Sequence, residues 1–491
     1  LHGTGRLCND GASIEKSTAA ERQRRKATGL RATTYDSGVT NMKSHGFRDT
    51  GMIVRRPARP GVCTPSNLAE LMHCLDGDRN IAVPIRPQGA GSSATDCSVA
   101  TSGTVIRMSG LDRIIHIDTL NHTVTAEAGV RLGELVAALA EDGLELIGNF
   151  DQTERTLGGA IAAPCMGPGI GGHASMLSTQ VVRLKAITAD GKVMKVSDTQ
   201  RHLLSAFRLS YGMLGVIHEV TLRVRPITTF TASHRSMDID TFAHVADRLA
   251  SGNVGLKFYL MPYRNHVYLD LRHYDASGGN AYNAPWKIKD WGESTVLPNV
   301  FKSLNRVMPI PSVRYRLMDT ISATTHGLVN SKLVRNGNNV TAGGQHRRRK
   351  PSNLLYSTWC FPASDFSVVV KAYAKFCRET FAHTAYRCDL PAVGYRVARD
   401  SSALLSPSFD EPLIALQTTS TQRRGWEGFA LDLSEFAENW SGTPLFNQTL
   451  SPRDAYVSQA YGGRMEFFKK IRRQLDPDNR LLNPYLARYF S

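Results

Sequence analysis

A chain of 491 residues is long enough for two or three domains, each with a core of its own. With 42% hydrophobic and 21% charged residues it sits near the globular average, and no run approaches the ~18 apolar residues of a membrane-spanning helix, so a soluble multidomain protein is expected. The formal net charge of +16 favours anionic partners without choosing among nucleic acid, membrane surface and phosphate.

Residues 1–44 are rich in Gly, Ser, Thr and Arg without apolar period and read as a solvated, disordered basic arm. Within the first 60 residues 12 basic side chains face 5 acidic ones, Arg22, Arg24, Arg25 and Lys26 among them. No secretory apolar stretch is present, and the eight cysteines show no C-x-x-C and no His pair at zinc spacing. Neither a metal site nor a disulfide framework is expected, and the compartment reads as a reducing cytoplasm.

From about residue 45 the texture changes. Ser66 is placed to cap a short amphipathic helix over Asn67–Leu75, with Leu68, Leu71, Met72 and Leu75 on one face. Strands are expected over Ile81–Ile85, Thr104–Met108, Ile114–Asp118 and Thr123–Ala128, and a helix over Arg131–Asp142 with Leu132, Leu135, Val136 and Leu139 in register. After a glycine-rich stretch, Val181–Thr188, Lys192–Val196 and Val216–Val224 resume strand character, and Pro226 closes a first domain of residues 45–228. A second domain over 229–460 contains a helix candidate at Asp365–Phe376 and a strand at Ala392–Ala398. A basic segment, Gly343–Lys350, reads as an exposed loop, and residues 461–491 form a closing helix and tail.

Three glycine-bearing pieces could carry chemistry. Gly89-Ala-Gly-Ser-Ser-Ala94 matches the dinucleotide fingerprint, but the following residues lack the helical period a Rossmann turn requires and run into another strand. Gly89 and Gly91 can still let backbone N–H groups converge on phosphate oxygens, with Ser92 and Ser93 adding hydroxyls; an ordinary turn serves these residues equally well. Leu157–Gly172 has six glycines in the 15 residues from Gly158, interleaved with Leu157, Ile161, Met166 and Ile170, which is unlike a flexible tether. Tyr211-Gly-Met-Leu-Gly215-Val-Ile leads into a strand.

In order, Pro65-Ser-Asn-Leu-Ala-Glu-Leu, Arg86-Pro-Gln-Gly-Ala-Gly-Ser-Ser, Thr125-Ala-Glu-Ala-Gly-Val-Arg-Leu-Gly, Thr156-Leu-Gly-Gly-Ala-Ile, Gln180-Val-Val and Leu214-Gly-Val-Ile resemble the vanillyl-alcohol-oxidase (PCMH-type) superfamily of FAD-linked oxidases. Leu475-Asp-Pro-Asp-Asn-Arg-Leu-Leu-Asn-Pro-Tyr-Leu486 is similar to the closing motif of its sugar-lactone and alditol oxidase branch, the D-arabinono-1,4-lactone oxidase type. The resemblance implies an α+β fold: a two-part PCMH-type FAD-binding domain, an αβ substrate or cap domain, and a tail returning to the flavin. It implies cofactor contacts from Pro87, Gln88, Gly89, Ala90, Gly91, Ser92, Ser93, Thr156, Gly158, Gly159, Ile161, Ala162, Gly167, Gly215, Val216, Ile217 and Asn483.

Four departures from the branch matter. Ser92 stands where many relatives have the His that attaches covalently to the flavin, so FAD is expected to be non-covalent. Cys165-Met166-Gly167 stands where relatives have Thr-His-Gly. Gly394-Tyr-Arg396 stands where they have Glu-x-Arg, and alternation along a strand puts residues 394 and 396 on one face, so that face would keep a cation and leave space where a carboxylate sat. Asn447 and Gln448 replace a basic element.

An alcohol that gives up hydride to flavin N5 needs its O–H proton accepted or its alkoxide stabilised. Arg396 suits the second role unless it forms a surface ion pair. His173 and Tyr395 are candidate proton acceptors or structural residues, and Asn447 is a candidate polar contact. The expected function is FAD-dependent oxidation of a CH–OH group in a polyol, sugar lactone or other hydroxylated small molecule, with dioxygen or another electron acceptor. Flavin-dependent C–C dehydrogenation or reduction, or a pseudo-enzyme that keeps its flavin, would use the same fold. From a different class, a nucleic-acid-binding protein would use the Arg22–Lys26 and Arg347–Lys350 clusters and show salt-sensitive binding without a chromophore.

Overall fold

The computed structural model describes residues 61–76, 81–148, 150, 152–169, 175–252, 254–274, 292–327, 332–336 and 354–491, all within one unit, Pro57–Ser491. The arm over 1–44, His173 and the segment Gly343–Lys350 lie outside the described residues.

The first helix spans Leu68–His73, and Asn67 rather than Ser66 caps it, its side chain accepting the Glu70 N–H at 2.9 Å. Ser66 has a different task, because the Glu70 carboxylate reaches back to its N–H at 2.8 Å and its hydroxyl at 2.9 Å. Next to this helix, β1 (Gly61–Cys63), β2 (Ile85–Gln88) and β3 (Thr104–Arg107) form a small parallel sheet in the order β1-β3-β2. β2 begins at Ile85 rather than Ile81, since Pro84 has no N–H to give a ladder; its carbonyl accepts from Thr104 instead.

A second sheet follows, made of β4 (Ile114–Asp118), β5 (Thr123–Glu127), β6 (Leu144–Leu146), β7 (Val181–Ile187), β8 (Val193–Ser197) and β9 (Val216–Pro226). Its antiparallel order is β4-β5-β9-β7-β8, with β6 also paired to β9. The helix Leu132–Glu141 buries Leu132, Leu135, Val136 and Leu139, the i, i+3, i+4, i+7 stripe that drives such a helix onto a sheet. At about 1.5–3 kcal/mol per fully buried aliphatic side chain, this face holds the element in place.

The third sheet comprises β10 (Thr229–Asp238), β11 (Gly255–Met261), β12 (His266–Tyr274), β13 (Lys332–Asn336), β14 (Leu355–Pro362), β15 (Ala392–Val397), β16 (Leu413–Ser420) and β17 (Thr443–Pro444). Its order is β13-β10-β12-β11-β15-β16-β14-β17, antiparallel throughout. One face is covered by the helices Ile239–Ser251, Phe366–Thr384 and Trp426–Asn439, with Phe258, Ile414, Leu416 and Trp359 in that core. Ala415 and Cys360, on the opposite face, belong instead to the core built from residues 71–224. At β14 and β16 the eight-stranded sheet therefore turns its other side toward the first two sheets, while at β11 and β12 that side meets the helix Pro311–Gly327, whose His326 packs on Tyr259 and Tyr268.

The C-terminal residues come back to the start of the chain. Leu481, Leu486, Tyr489 and Phe490 are buried in the first core, and the Ile85 N–H donates to the Arg480 carbonyl at 2.7 Å.

Candidate functional site

A cavity opens among the first two sheets. Of the residues singled out from sequence, Pro87, Gly89, Ala90, Gly91, Ser92, Ser93, Thr156, Gly158, Gly159, Ala162, Gly215 and Ile217 line it. The loop after β2 forms one wall because no helix follows it, only a short 3-10 turn at Asp96–Ser98 before β3. The opposite wall starts at Thr156, whose hydroxyl caps the helix Leu157–Ala162. That helix is drawn tightly onto the end of β5: the Gly158 N–H donates to the Ala128 carbonyl at 2.8 Å, and a Cβ on Gly158 would lie 2.7 Å from the Ala128 Cβ.

The chemistry of the lining suits an anionic, flat ligand. It contains Arg86 and Arg155 and no Asp or Glu. The backbone N–H groups of Ala90, Gly91, Ser92 and Ser93 donate to no described residue, so they remain available to ligand oxygens, as a phosphate-binding nest requires. Gly91 has φ +68, and a Cβ there would have no atom within 4 Å, because it would project into the open cavity. Beside the loop, the Asn447 carbonyl accepts the Ala94 N–H at 2.9 Å, while the buried Asn447 Oδ1 has no protein partner. An FAD diphosphate and ring therefore fit the residues present.

Sequence reasoning missed Cys97, Ser98, Met108, Ala128, Arg155, Ala163, Tyr211 and Gly212, which also line the cavity. Arg155 lies next to Thr156 but carried no signal of its own, since its guanidinium is committed to the carbonyls of Gly159, Ala163 and Pro164. Tyr356, on β14, donates its hydroxyl to the Ser92 carbonyl and so joins the eight-stranded sheet to the glycine loop. Burial pushes its phenol up to about 12.

Several expected contacts fall elsewhere. Gln88, Ile161, Gly167 and Val216 do not line the cavity; Ile161 and Val216 are core residues, and Gly167 donates its N–H to the Ser175 carbonyl. Asn483 is a tail anchor: its Nδ2 donates to the carbonyls of Asp96 and Val99 at 2.8 Å each, and its Oδ1 caps the last helix. Cys165 and Met166 are buried in the first core and contribute no thioether to the cavity lining.

The largest correction concerns β15. Residues 394 and 396 do share a face, but it is the helix-covered one. Arg396 pairs in register with Ile414 and donates its Nε to the carbonyl of Ala250 in the helix Ile239–Ser251. The space expected at Gly394 is filled by Phe258, whose ring atoms would lie 1.9–2.4 Å from a Cβ there. Burial lowers the Arg396 pKa, and its Nη1 has no protein partner.

Tyr395 points the other way. Its cross-strand neighbours are Lys257 on β11 and Ala415 on β16, so these side chains share the face opposite Arg396. The Lys257 ammonium, on a residue only 7% exposed, lies 5.3 Å from the Tyr259 ring centroid and 5.5 Å from that of Tyr395. The Tyr259 hydroxyl donates to Glu293 Oε2 at 2.5 Å, and Glu293 Oε1 is 3.0 Å from His326 Nδ1. Lys257 escaped notice because a lone lysine inside an apolar strand, Gly-Leu-Lys-Phe-Tyr-Leu-Met, has no motif. Its alternation relative to Tyr395 becomes visible only when the strands are paired.

Among the described residues no group of His, Cys, Asp and Glu could hold a metal ion, and no helix is long and apolar enough to cross a membrane. Comparison with known proteins places both halves of the chain. The FAD binding domain family matches residues 60–197, and the D-arabinono-1,4-lactone oxidase family matches residues 220–489. An L-gulono-1,4-lactone dehydrogenase of Mycobacterium tuberculosis is 23% identical over 88% of this chain and 96% of its own length. L-gulonolactone oxidase of Bos taurus is 32% identical over 37% of this chain and 42% of that protein. Among solved structures, cholesterol oxidase from B. sterolicum superposes with a TM-score of 0.69 at 13% identity, covering 88% of this chain and 94% of that one. 6-Hydroxy-D-nicotine oxidase from Arthrobacter nicotinovorans does so at 0.59 and 16%, covering 87% and 92%. The mixed helix-and-sheet architecture is thus the PCMH-type oxidase fold that the sequence resemblance implied. The chain is an FAD-linked oxidoreductase acting on CH–OH donors and, with more than half its length matched, it belongs to the D-arabinono-1,4-lactone oxidase family.

Proposed function

We propose that this enzyme oxidises a secondary hydroxyl of a sugar 1,4-lactone to a carbonyl, with FAD held non-covalently in the glycine-lined cavity. The observation that carries the reading is that a relative named for a 1,4-lactone dehydrogenase aligns over 96% of its own length, through both halves of this chain. The loop Gly89–Ser93 would hold the cofactor diphosphate through backbone amides, and Thr156, Gly158 and Gly159 would form part of the wall around it. When bound, FAD supplies the two-electron oxidant. Ser92 offers no imidazole for a histidyl link, which supports a dissociable cofactor.

Substrate is received on the face of the eight-stranded sheet that carries Tyr395 and Lys257. Tyr395 orients the reacting hydroxyl, and the Lys257 ammonium stabilises the negative charge that develops on its oxygen as the proton leaves, a role that a buried cation performs strongly in a site shielded from water. Arg396, directed into the helix layer, takes no part. Dioxygen or another acceptor then completes the cycle.

The test is anaerobic mixing of the FAD-loaded protein with L-gulono-, L-galactono- and D-arabinono-1,4-lactone while the visible flavin bands are followed. Bleaching by one of them is expected; a flavin that stays oxidised with all three would overturn the lactone reading. Acid precipitation should release the yellow colour into the supernatant, and colour retained in the pellet would overturn non-covalent attachment.

A further inference from the structure

The helix Leu297–Val307 and the helix Pro311–Gly327 form a hairpin whose two sides differ from those of an ordinary surface helix. Its inner side buries Phe301, Tyr315 and Met318. Ile310, immediately before the second helix, and Val313 and Leu317 within it form an outward stripe at the i, i+3, i+7 spacing of a single helix face. Those side chains are 58%, 51% and 38% exposed, and Val307, at the end of the first helix, is 80% exposed. Pro309 and Pro311 between them are exposed as well. Past Leu317 the outer side turns polar at Thr320 and Thr324. Four of the fourteen large exposed apolar side chains among the described residues thus cluster within eleven positions, whereas scattered single ones are normal.

Charge selects the occupant. Residues 297–318 contain Lys302, Arg306, Arg314 and Arg316 and no acid. Arg306 and Arg316 are exposed, and their guanidinium groups make no hydrogen bond or ion pair. Aliphatic side chains protruding between unpaired cations match the interfacial layer of an anionic bilayer, where apolar groups enter the acyl boundary and Lys or Arg meets lipid phosphate. A protein partner would be expected to take aromatic anchors, and the exposed tip has none; Tyr315 is buried.

We propose that the Val307–Leu317 hairpin end is a membrane-docking tip that seats the enzyme reversibly on an anionic phospholipid surface. It does not span the bilayer, and the glycine-lined cavity is formed by other residues, so docking and flavin binding are separable.

The test is co-sedimentation of the full-length, FAD-loaded protein with vesicles of phosphatidylcholine, with and without phosphatidylserine. Binding is expected with phosphatidylserine, weakened severalfold by high salt. The double variant Ile310→Asp, Val313→Asp should lower the partition coefficient at least about tenfold, with flavin content and melting temperature unchanged. Arg306→Ser with Arg316→Ser should remove most of the salt dependence. No binding to the anionic vesicles, or binding that the double variant leaves intact, would overturn the proposal. So would a self-associated wild-type protein that the double variant makes monomeric in sedimentation velocity, because a second copy would then occupy the tip.

Discussion

Arg86, in the wall of the glycine-lined cavity, donates from Nη1 to the carbonyl of Leu481, 395 positions later in the chain. The same guanidinium reaches the carbonyls of Cys97 at 3.0 Å, Gly212 at 3.2 Å and Tyr211, so one buried side chain ties the loop after β2, the turn before β9 and the C-terminal tail. Its cost is desolvation, which lowers its pKa to about 10. The planar fork of arginine matches this set of carbonyls, and a lysine ammonium does not. Arg86→Lys is expected to destabilise the fold by about 2–4 kcal/mol and to release the tail first. Urea denaturation with limited proteolysis, reading cleavage after residue 475, checks both.

Gly91 separates folding from cofactor binding. A side chain at φ +68 costs about 1–2 kcal/mol of backbone strain but meets no protein atom. Gly91→Val should therefore fold as apoprotein with a modestly lowered melting temperature, while FAD affinity falls by more than about tenfold because the side chain occupies ligand space. Flavin titration of the apoprotein against its thermal melt measures the two effects separately.

Tyr356 couples the two halves through one hydrogen bond to Ser92. Tyr356→Phe removes a bond of about 0.5–1.5 kcal/mol while keeping the ring, so FAD dissociation should tighten or loosen with the loop alone. The expected outcome is a two- to tenfold weaker FAD, by about that same free energy, with secondary structure unchanged. Equilibrium dialysis of flavin checks it.

The two basic residues flanking Tyr395 should behave oppositely. Lys257→Met removes the cation on the Tyr395 face, and turnover should fall by about 10²–10³ with flavin content retained. Arg396→Met leaves that face intact but breaks the bond to the Ala250 carbonyl; a stability change of about 1–3 kcal/mol with turnover per bound flavin kept is expected. Steady-state kinetics normalised to flavin absorbance distinguishes them.

Glu127 predicts an acid limit. It is fully buried; burial acts to raise its pKa, but Arg113 donates to it from the backbone at 2.9 Å, from Nε at 3.2 Å and from Nη2 at 2.8 Å, and the net value lies below the usual carboxylate range. A depressed folded-state pKa contributes stability that is present above the unfolded value of about 4.3 and lost as pH falls through the folded one. Glu127→Gln should therefore melt lower than wild type at neutral pH and show a flatter decline below pH ~4. Melting curves across that range settle it.

Much of the architecture was legible because its signals are local. The stripe Leu132, Leu135, Val136, Leu139 specifies a helix face within ten residues, and β4, β5 and β7 announce themselves by β-branched runs. The glycine loop 89–93 was legible for a related reason: amides free to converge on an anion need small residues and no following helix, both readable along the chain. Boundaries moved where a neighbour competed, as when Asn67 displaced Ser66 at the first cap.

The substrate side was not legible, and β15 shows why. Its sequence, Ala-Val-Gly-Tyr-Arg-Val, is buried or half-buried on both faces, so alternation correctly grouped Gly394 with Arg396 but carried no information about which face met the helices. That choice rests on register with β11 and β16, which brings Phe258 into the space beside Gly394 and Lys257 beside Tyr395. The sequence alone carried the family, FAD and the glycines that line the cavity, since those depend on residue types at short spacing. Only the tertiary structure decided that Lys257 rather than Arg396 is the cation on the Tyr395 face, because sidedness in a doubly covered sheet is set by strand pairing, here between β15 and a strand more than a hundred residues earlier, β11.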